Sequence, residues 1–144
     1  MRLLEEPVMR SKKIILDTNL WISFLITRNL SEIDELIQDR KIKLLFSNEL
    51  IEEFLIVAKR PKFAKYFTNK DLEEILRLFD YYGKLIKVKA KISESRDRKD
   101  NFLLSLAVDG KADFLVTGDS DLLILKKIKK TKIVTWSNFL KDIK

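Results

Sequence analysis

Apolar residues along this chain fall in short blocks whose spacing alternates between two periods. Ile14-Ile15-Leu16 follows Lys12 and Lys13 and stops at Asp17-Thr18-Asn19, after which Leu20, Trp21, Phe24 and Leu25 recur at helical spacing. The pair predicts a strand feeding a helix. Ser31, with Asp34 three residues on, can cap a second helix whose inward stripe is Ile33, Leu36 and Ile37. Lys43 to Phe46 is a second short strand. Ser47 can cap a helix carrying Leu50, Ile51, Phe54, Leu55, Val57 and Ala58 on one side until Arg60-Pro61 ends it.

Thr68 and Asp71 form another capping pair, opening an amphipathic helix through Leu72, Ile75, Leu76, Leu78 and Phe79 that stops at Gly83. Leu85 to Val88 reads as a third strand. The charged stretch 89–99 reads as a surface loop leading to a helix over Asp100 to Val108. Phe114 to Thr117 is a fourth strand, ending at the turn Gly118-Asp119-Ser120-Asp121. Ile133 and Val134 make a last strand before a short helix containing Trp136, Phe139 and Leu140. Trp21, Phe24, Phe54 and Phe114 are expected in the core.

Short strands, apolar on both faces and separated by helices, imply a parallel sheet of four or five strands covered on both sides: a three-layer α/β/α arrangement. With no internal repeat and no linker rich in Pro, Gly or Ser, residues 1–144 read as a single domain with its core at about 13–142.

Composition narrows the chemistry. The 144 residues contain no Cys and no His, which removes disulfides, Cys/His zinc sites and histidine-based acid–base or Ser-His mechanisms. The longest apolar run, Phe54 to Ala58, is far below the roughly 18 residues of a membrane span, and the first dozen residues lack the apolar centre of a secretory signal. A cytoplasmic protein with no membrane association is expected. The formal charge of +7, from 29 Lys plus Arg against 22 Asp plus Glu, favours polyanionic partners without identifying one.

Carboxylates, amines, hydroxyls or a hard metal ion on oxygen ligands remain. In doubly wound sheets, ligands bind in the crevice beyond the carboxyl ends of the strands. Asp17 follows the first strand, Asp119 lies just past the fourth, Asp100 stands in the first turn of the helix leading toward it, and Glu53 would project from a flanking helix beside Glu49 and Glu52. Singly, Asp17, Asp97 and Asp119 suit helix caps and Asp100 a first-turn acid. Together they would repel one another, and a divalent cation relieves that conflict while supplying an activated water.

Leu16-Asp17-Thr18-Asn19 resembles the opening motif of PIN-domain ribonucleases. Ser47-Asn48-Glu49-Leu50-Ile51-Glu52-Glu53-Phe54 resembles the second motif, Asp97-Arg98-Lys99-Asp100 with Phe102 to Ala107 the third, and Leu115 to Leu123, containing Thr117-Gly118-Asp119-Ser120-Asp121, the fourth. Arg98 stands where proline is common in similar proteins. The resemblance implies a PIN-like fold and a Mg²⁺- or Mn²⁺-dependent endoribonuclease with Asp17, Glu53, Asp100 and Asp119 as catalytic and metal-binding acids. It selects Glu53 over Glu49 and Glu52. Thr18, Asn19, Asp97, Thr117 and Asp121 are candidates to orient these acids or their waters, with capping as the simpler role.

Arg96, Arg98 and Lys99, or the lysines of 126–132, would offset phosphate repulsion around the acids. Within the family the pattern is similar to the VapC-like toxin branch, which implies RNA as substrate, a small antitoxin as partner and a homodimer. The alternative is a noncatalytic PIN-like module that binds RNA or an antitoxin. A phosphatase or phospho-accepting receiver fits less well, because Asp17-Thr18-Asn19 lacks the second aspartate of a two-aspartate phosphatase motif.

Overall fold

The first apolar block forms β1 (Lys12–Leu16) and, after one intervening residue, the helical stripe forms α1 (Thr18–Thr27). In this computed structural model the described residues are 11–27, 31–93 and 100–143. The chain continues through α2 (Ser31–Gln38), β2 (Ile42–Phe46), α3 (Asn48–Ala58), α4 (Pro61–Ala64), α5 (Asn69–Tyr82) and β3 (Gly83–Leu85). It then forms α6 (Asn101–Gly110), β4 (Phe114–Val116), α7 (Ser120–Leu123), β5 (Lys127–Ile128), β6 (Thr131–Val134) and α8 (Trp136–Ile143).

The strands make one sheet in the order β3-β2-β1-β4-β6-β5, parallel except for β5, which runs antiparallel to β6. In the centre, Ile14 is in register with both Leu44 and Phe114. Ile14, Ile15 and Leu16 are all buried, as covering on both faces requires. On one face Phe46 stacks on Trp21 and Phe79, at centroid distances of 5.7 and 4.6 Å, and Phe54 meets Phe79 edge-on. Those rings gather α1, α3 and α5 on that side. The adjacent Leu45 points to the other face, where α6 comes so close that a Cβ at Gly110 would lie 2.8 Å from Leu45 Cδ1.

The caps expected at Ser47 and Thr68 are present, whereas Ser31, expected to cap α2, is part of that helix. Ser47 Oγ accepts from Leu50 N at 3.1 Å, and Thr68 with Asp71 forms a reciprocal capping box. Helix α2 already includes Ser31, so its capping position falls outside the described residues.

Three local expectations shift. Pro61 does not simply end α3, which stops at Ala58, but opens the one-turn α4, where its missing N–H is no loss. The third strand is Gly83–Leu85 rather than Leu85 to Val88, because Gly83 lets the chain leave α5 and pair with β2 at once. A Cβ there would sit 2.3 Å from the Phe46 ring. The sheet has six strands rather than four or five, the extra one being the two-residue β5 within the lysine-rich segment. Trp21, Phe24, Phe54 and Phe114 are buried as expected. No helix among the described residues is long and apolar enough to cross a membrane.

Candidate functional site

From β1 the chain goes on to β2 and β3 on one side, and later to β4 and β6 on the other. The switch point therefore lies between the carboxyl ends of β1 and β4, where an open sheet leaves a crevice. Asp17 and Thr117 are the first residues past those two strands. Asp17 N donates to Val116 O at 3.0 Å, carrying the ladder one residue further, while its carbonyl accepts from Leu20 N and Trp21 N to start α1. Asp17 is thus held between a strand and a helix, with its side chain buried.

The Thr117 hydroxyl donates to Asp17 Oδ2 at 2.7 Å and accepts from Asp119 N at 3.0 Å. Thr117 N in turn donates to Val134 O at 2.9 Å, fixing the threonine against β6. One buried hydroxyl therefore ties the ends of β1 and β4 together and sets Asp119 beside Asp17. Burial raises the pKa of Asp17, and the like charge of Asp119 adds to the rise; hydrogen bonds from Thr117 and from the backbone at Asn19 and Thr18 oppose it.

Asp119 also caps α7, its Oδ1 accepting from Asp121 N at 2.8 Å. The capping role weighed from the sequence is real for this residue, and it occupies one oxygen. Asp121 lies half-buried in the same first turn, Asn19 is exposed at the start of α1, and Thr18 is buried beside Asp17.

Asp100 directly precedes α6 and is half-buried, and its side chain makes no capping bond to that helix. Because α6 ends at Gly110, shortly before β4 begins, its start lies toward the carboxyl ends of the strands, the edge that carries Asp17. Helix α3 likewise starts at that edge, immediately after β2, and turns Glu53 to a half-buried position while Glu49 and Glu52 are exposed. Among the described residues no three acids come close enough together to form a ready metal cage. The observed link is between Asp17 and Asp119 through the Thr117 hydroxyl; Asp100 and Glu53 share their edge through topology. Asp97, Arg96, Arg98 and Lys99 lie outside the described residues.

Sequence reading gave no sign of the restraint on the segment leading toward Asp100. Asp109 accepts from Lys89 N and Ala90 N, and Ser105 Oγ accepts from Ile92 N at 3.0 Å, binding that segment along α6. Those N–H groups lower the pKa of Asp109. The partners are far apart in sequence and belong to no local motif. The lysines of 126–132 also depart from expectation. Lys130 bonds Asp113 and Lys132 is in register with Phe114, which places them at the opposite, amino-terminal edge of the sheet.

A mostly parallel sheet covered by helices, with a buried carboxylate and a second acid meeting at its switch point, defines an acid-edged α/β protein of the kind that handles ligands beyond its strand ends. The sequence model of the PIN domain matches residues 13–121, and the chain belongs to the PIN domain family. An uncharacterized protein of Methanocaldococcus jannaschii, MJ1680, is 32% identical over 121 residues, which cover 82% of this chain and 77% of that protein. Among solved structures, a chain of VapBC2 from Rickettsia felis, bound to a DNA fragment from their promoter, is similar in fold. It has a TM-score of 0.56 and 17% identity, covering 86% of this chain and 98% of that one. The PIN domain of human SMG5 gives a TM-score of 0.49 at 14% identity, covering 92% of this chain and 99% of that one.

Proposed function

We propose that this chain is a metal-dependent endoribonuclease that hydrolyses RNA phosphodiester bonds through Asp17, Glu53, Asp100 and Asp119. The observation that carries the reading is the Asp17–Thr117–Asp119 linkage at the switch point, in which a carboxylate is buried beside a second one. Burying a carboxylate next to another disfavours its charged form, an arrangement that suits a cation site better than a purely structural one.

The donor set fits Mg²⁺ or Mn²⁺, for which one or two direct carboxylates suffice and the other acids act through water. Asp17 and Asp119 would hold the ion, with Asp100 and Glu53 on its waters. When bound, such an ion supplies a more acidic water and offsets charge on the reacting phosphate. Thr117 favours the ionised form of Asp17 and fixes its orientation before any ligand arrives. Thr18, Asn19 and Asp121, with Asp97, belong to the surrounding hydrogen-bonding shell in this proposal.

Incubation of purified protein with RNA and Mn²⁺ should give cleavage that stops with EDTA and with Asp17→Asn. Activity surviving both would end the assignment. Calorimetry with Mn²⁺ gives a readout independent of turnover, since Asp17→Asn should lose the binding heat.

The finer role we propose is the toxin of a toxin–antitoxin pair, a homodimer of single-domain subunits acting in the cytoplasm and silenced by a small antitoxin. Its support is the four-motif resemblance to the VapC-like branch. A small neighbouring gene product that copurifies and stops cleavage would bear it out; a chain that purifies without any such partner and whose expression leaves growth unchanged would count against it. A noncatalytic RNA- or antitoxin-binding module is the second reading, favoured by the use of Asp119 as a helix cap. Absence of Mn²⁺ binding with retained RNA affinity would select it.

A further inference from the structure

At the edge of the sheet opposite the acids, the turns that lead into four neighbouring strands all carry exposed cations. Lys12 opens β1, Arg40 and Lys41 precede β2, Lys111 stands between α6 and β4, and the β5–β6 hairpin presents Lys129 and Lys130, with Lys132 on β6 itself. Hydrogen bonds make this one continuous rim. Ser11 Oγ donates to Arg40 O at 2.6 Å, Lys12 N to Lys41 O at 2.8 Å, Lys13 N to Asp113 Oδ2 at 2.8 Å, and Lys132 N to Asp113 O at 3.0 Å. Among the described residues the rim also carries acids: Asp39; Asp113, which is already engaged by Lys13 N and by Lys130 Nζ at 3.4 Å; and Asp109 in the last turn of α6, engaged by Lys89 N and Ala90 N.

The backbone supplies a second, independent observation. Arg40, Lys111 and Lys129 have φ of 58°, 51° and 50°, in the left-handed region where glycine or asparagine is preferred, and of the four such non-glycine residues among those described one, Lys126 at 64°, lies away from the rim at the start of β5. Lys111 is the left-handed residue of a Schellman motif, with Lys111 N bonded to Val108 O and Ala112 N to Ala107 O. Three turns on one edge thus each place a long cation where a small residue would be more stable.

We infer that this rim is a second nucleic-acid-binding surface, gripping the phosphate backbone of single-stranded RNA on the side of the sheet away from the acidic crevice. From β2 to β6 the four strands span roughly 14 Å, enough for a few successive phosphates of an extended strand. A protein interface or a membrane surface would need apolar anchors. The exposed large apolar residues among those described are Ile56, Tyr66, Leu78, Tyr81, Leu85 and Ile124, none of them at these strand entries. The inference does not depend on hydrolysis.

Fluorescence anisotropy of the full chain with labelled single-stranded polyuridine RNA, in EDTA and across a salt series, tests it. The triple variant Arg40→Gly, Lys111→Gly and Lys129→Gly should bind about tenfold more weakly or worse, with the salt slope reduced by about 0.7 for each phosphate that is no longer neutralised. The same variant should melt at or above the temperature of the parent, because glycine relieves the left-handed backbone. Lys12→Gln, Lys41→Gln and Lys132→Gln together should weaken binding comparably, and they decide the question if the glycine variant fails to fold. Lys62→Gln, Lys65→Gln and Lys70→Gln, with the same loss of charge elsewhere, should stay within about twofold of the parent.

Rim variants that bind like the parent, a control that weakens equally, or binding to phosphatidylserine vesicles without binding to RNA would each overturn the inference. Cleavage in Mn²⁺ and binding in EDTA are read separately on the parent and on the rim variants. Loss of cleavage alone then bears on the nuclease proposal, and loss of rim binding alone bears on this one.

Discussion

Asp17 carries a stability cost at neutral pH, whatever the chemistry proposed for it. Its folded-state pKa is raised, so the folded protein holds the proton more tightly than the unfolded chain, and ionising it in place is unfavourable. This contribution to stability is complete below the unfolded value near 3.8 and is lost as pH rises from there through the raised folded value. Asp17→Asn keeps an acceptor for Thr117 and removes the charge. In metal-free buffer at neutral pH it should therefore melt higher than the parent, with the difference shrinking toward pH 4; calorimetric scans at several pH values check the sign. Thr117→Val preserves shape but removes the donor to Asp17 and the acceptor for Asp119 N. On the proposed function, Mn²⁺ affinity should fall about tenfold or more, since the carboxylate proposed to hold the ion loses its orienting partner, and a Mn²⁺ titration that matches the parent would show the hydroxyl to be dispensable.

Elements are positioned by a few end residues, and these are the places to test them. The Thr68–Asp71 capping box satisfies two donors at the start of α5, so Thr68→Ala should cost about 1 kcal/mol in urea unfolding. Gly83→Ala is a harsher change. The added methyl would lie 2.3 Å from the Phe46 ring and 2.8 Å from Phe79 O, forcing the α5–β3 junction away from β2. A loss of about 1–3 kcal/mol is expected, and a variant as stable as the parent would mean that the junction moves freely. The caps at Ser47 and Thr68 and the first strand–helix alternation were readable along the chain, because each depends on neighbours within one turn; that Pro61 opens a helix of its own was not. Nor was the early start of β3, because the reason for it is a ring on another strand.

At the scale of the molecule, charge is divided between two edges of one sheet, acids beyond the strand ends and cations at the strand entries. The aromatic cluster of Trp21, Phe46, Phe54 and Phe79 joins α1, β2, α3 and α5 and holds that geometry. Phe79→Ala should cost about 3–5 kcal/mol, and denaturant unfolding should remain one transition if the cluster binds these elements into a cooperative unit. Two separated transitions would show that it does not. Alternating periods and the absence of His and Cys were sufficient to determine the α/β class and to exclude Cys- and His-based chemistry, since these depend on local order and composition. The tertiary structure alone decided that one hydroxyl joins Asp17 to Asp119, that Asp109 and Ser105 restrain the segment at Lys89 to Ile92, and that Lys130 and Lys132 lie at the edge away from the crevice. Such contacts depend on strand order, register and helix docking, which bring Thr117 to Asp17 across a hundred positions of sequence and leave no periodic trace in the chain.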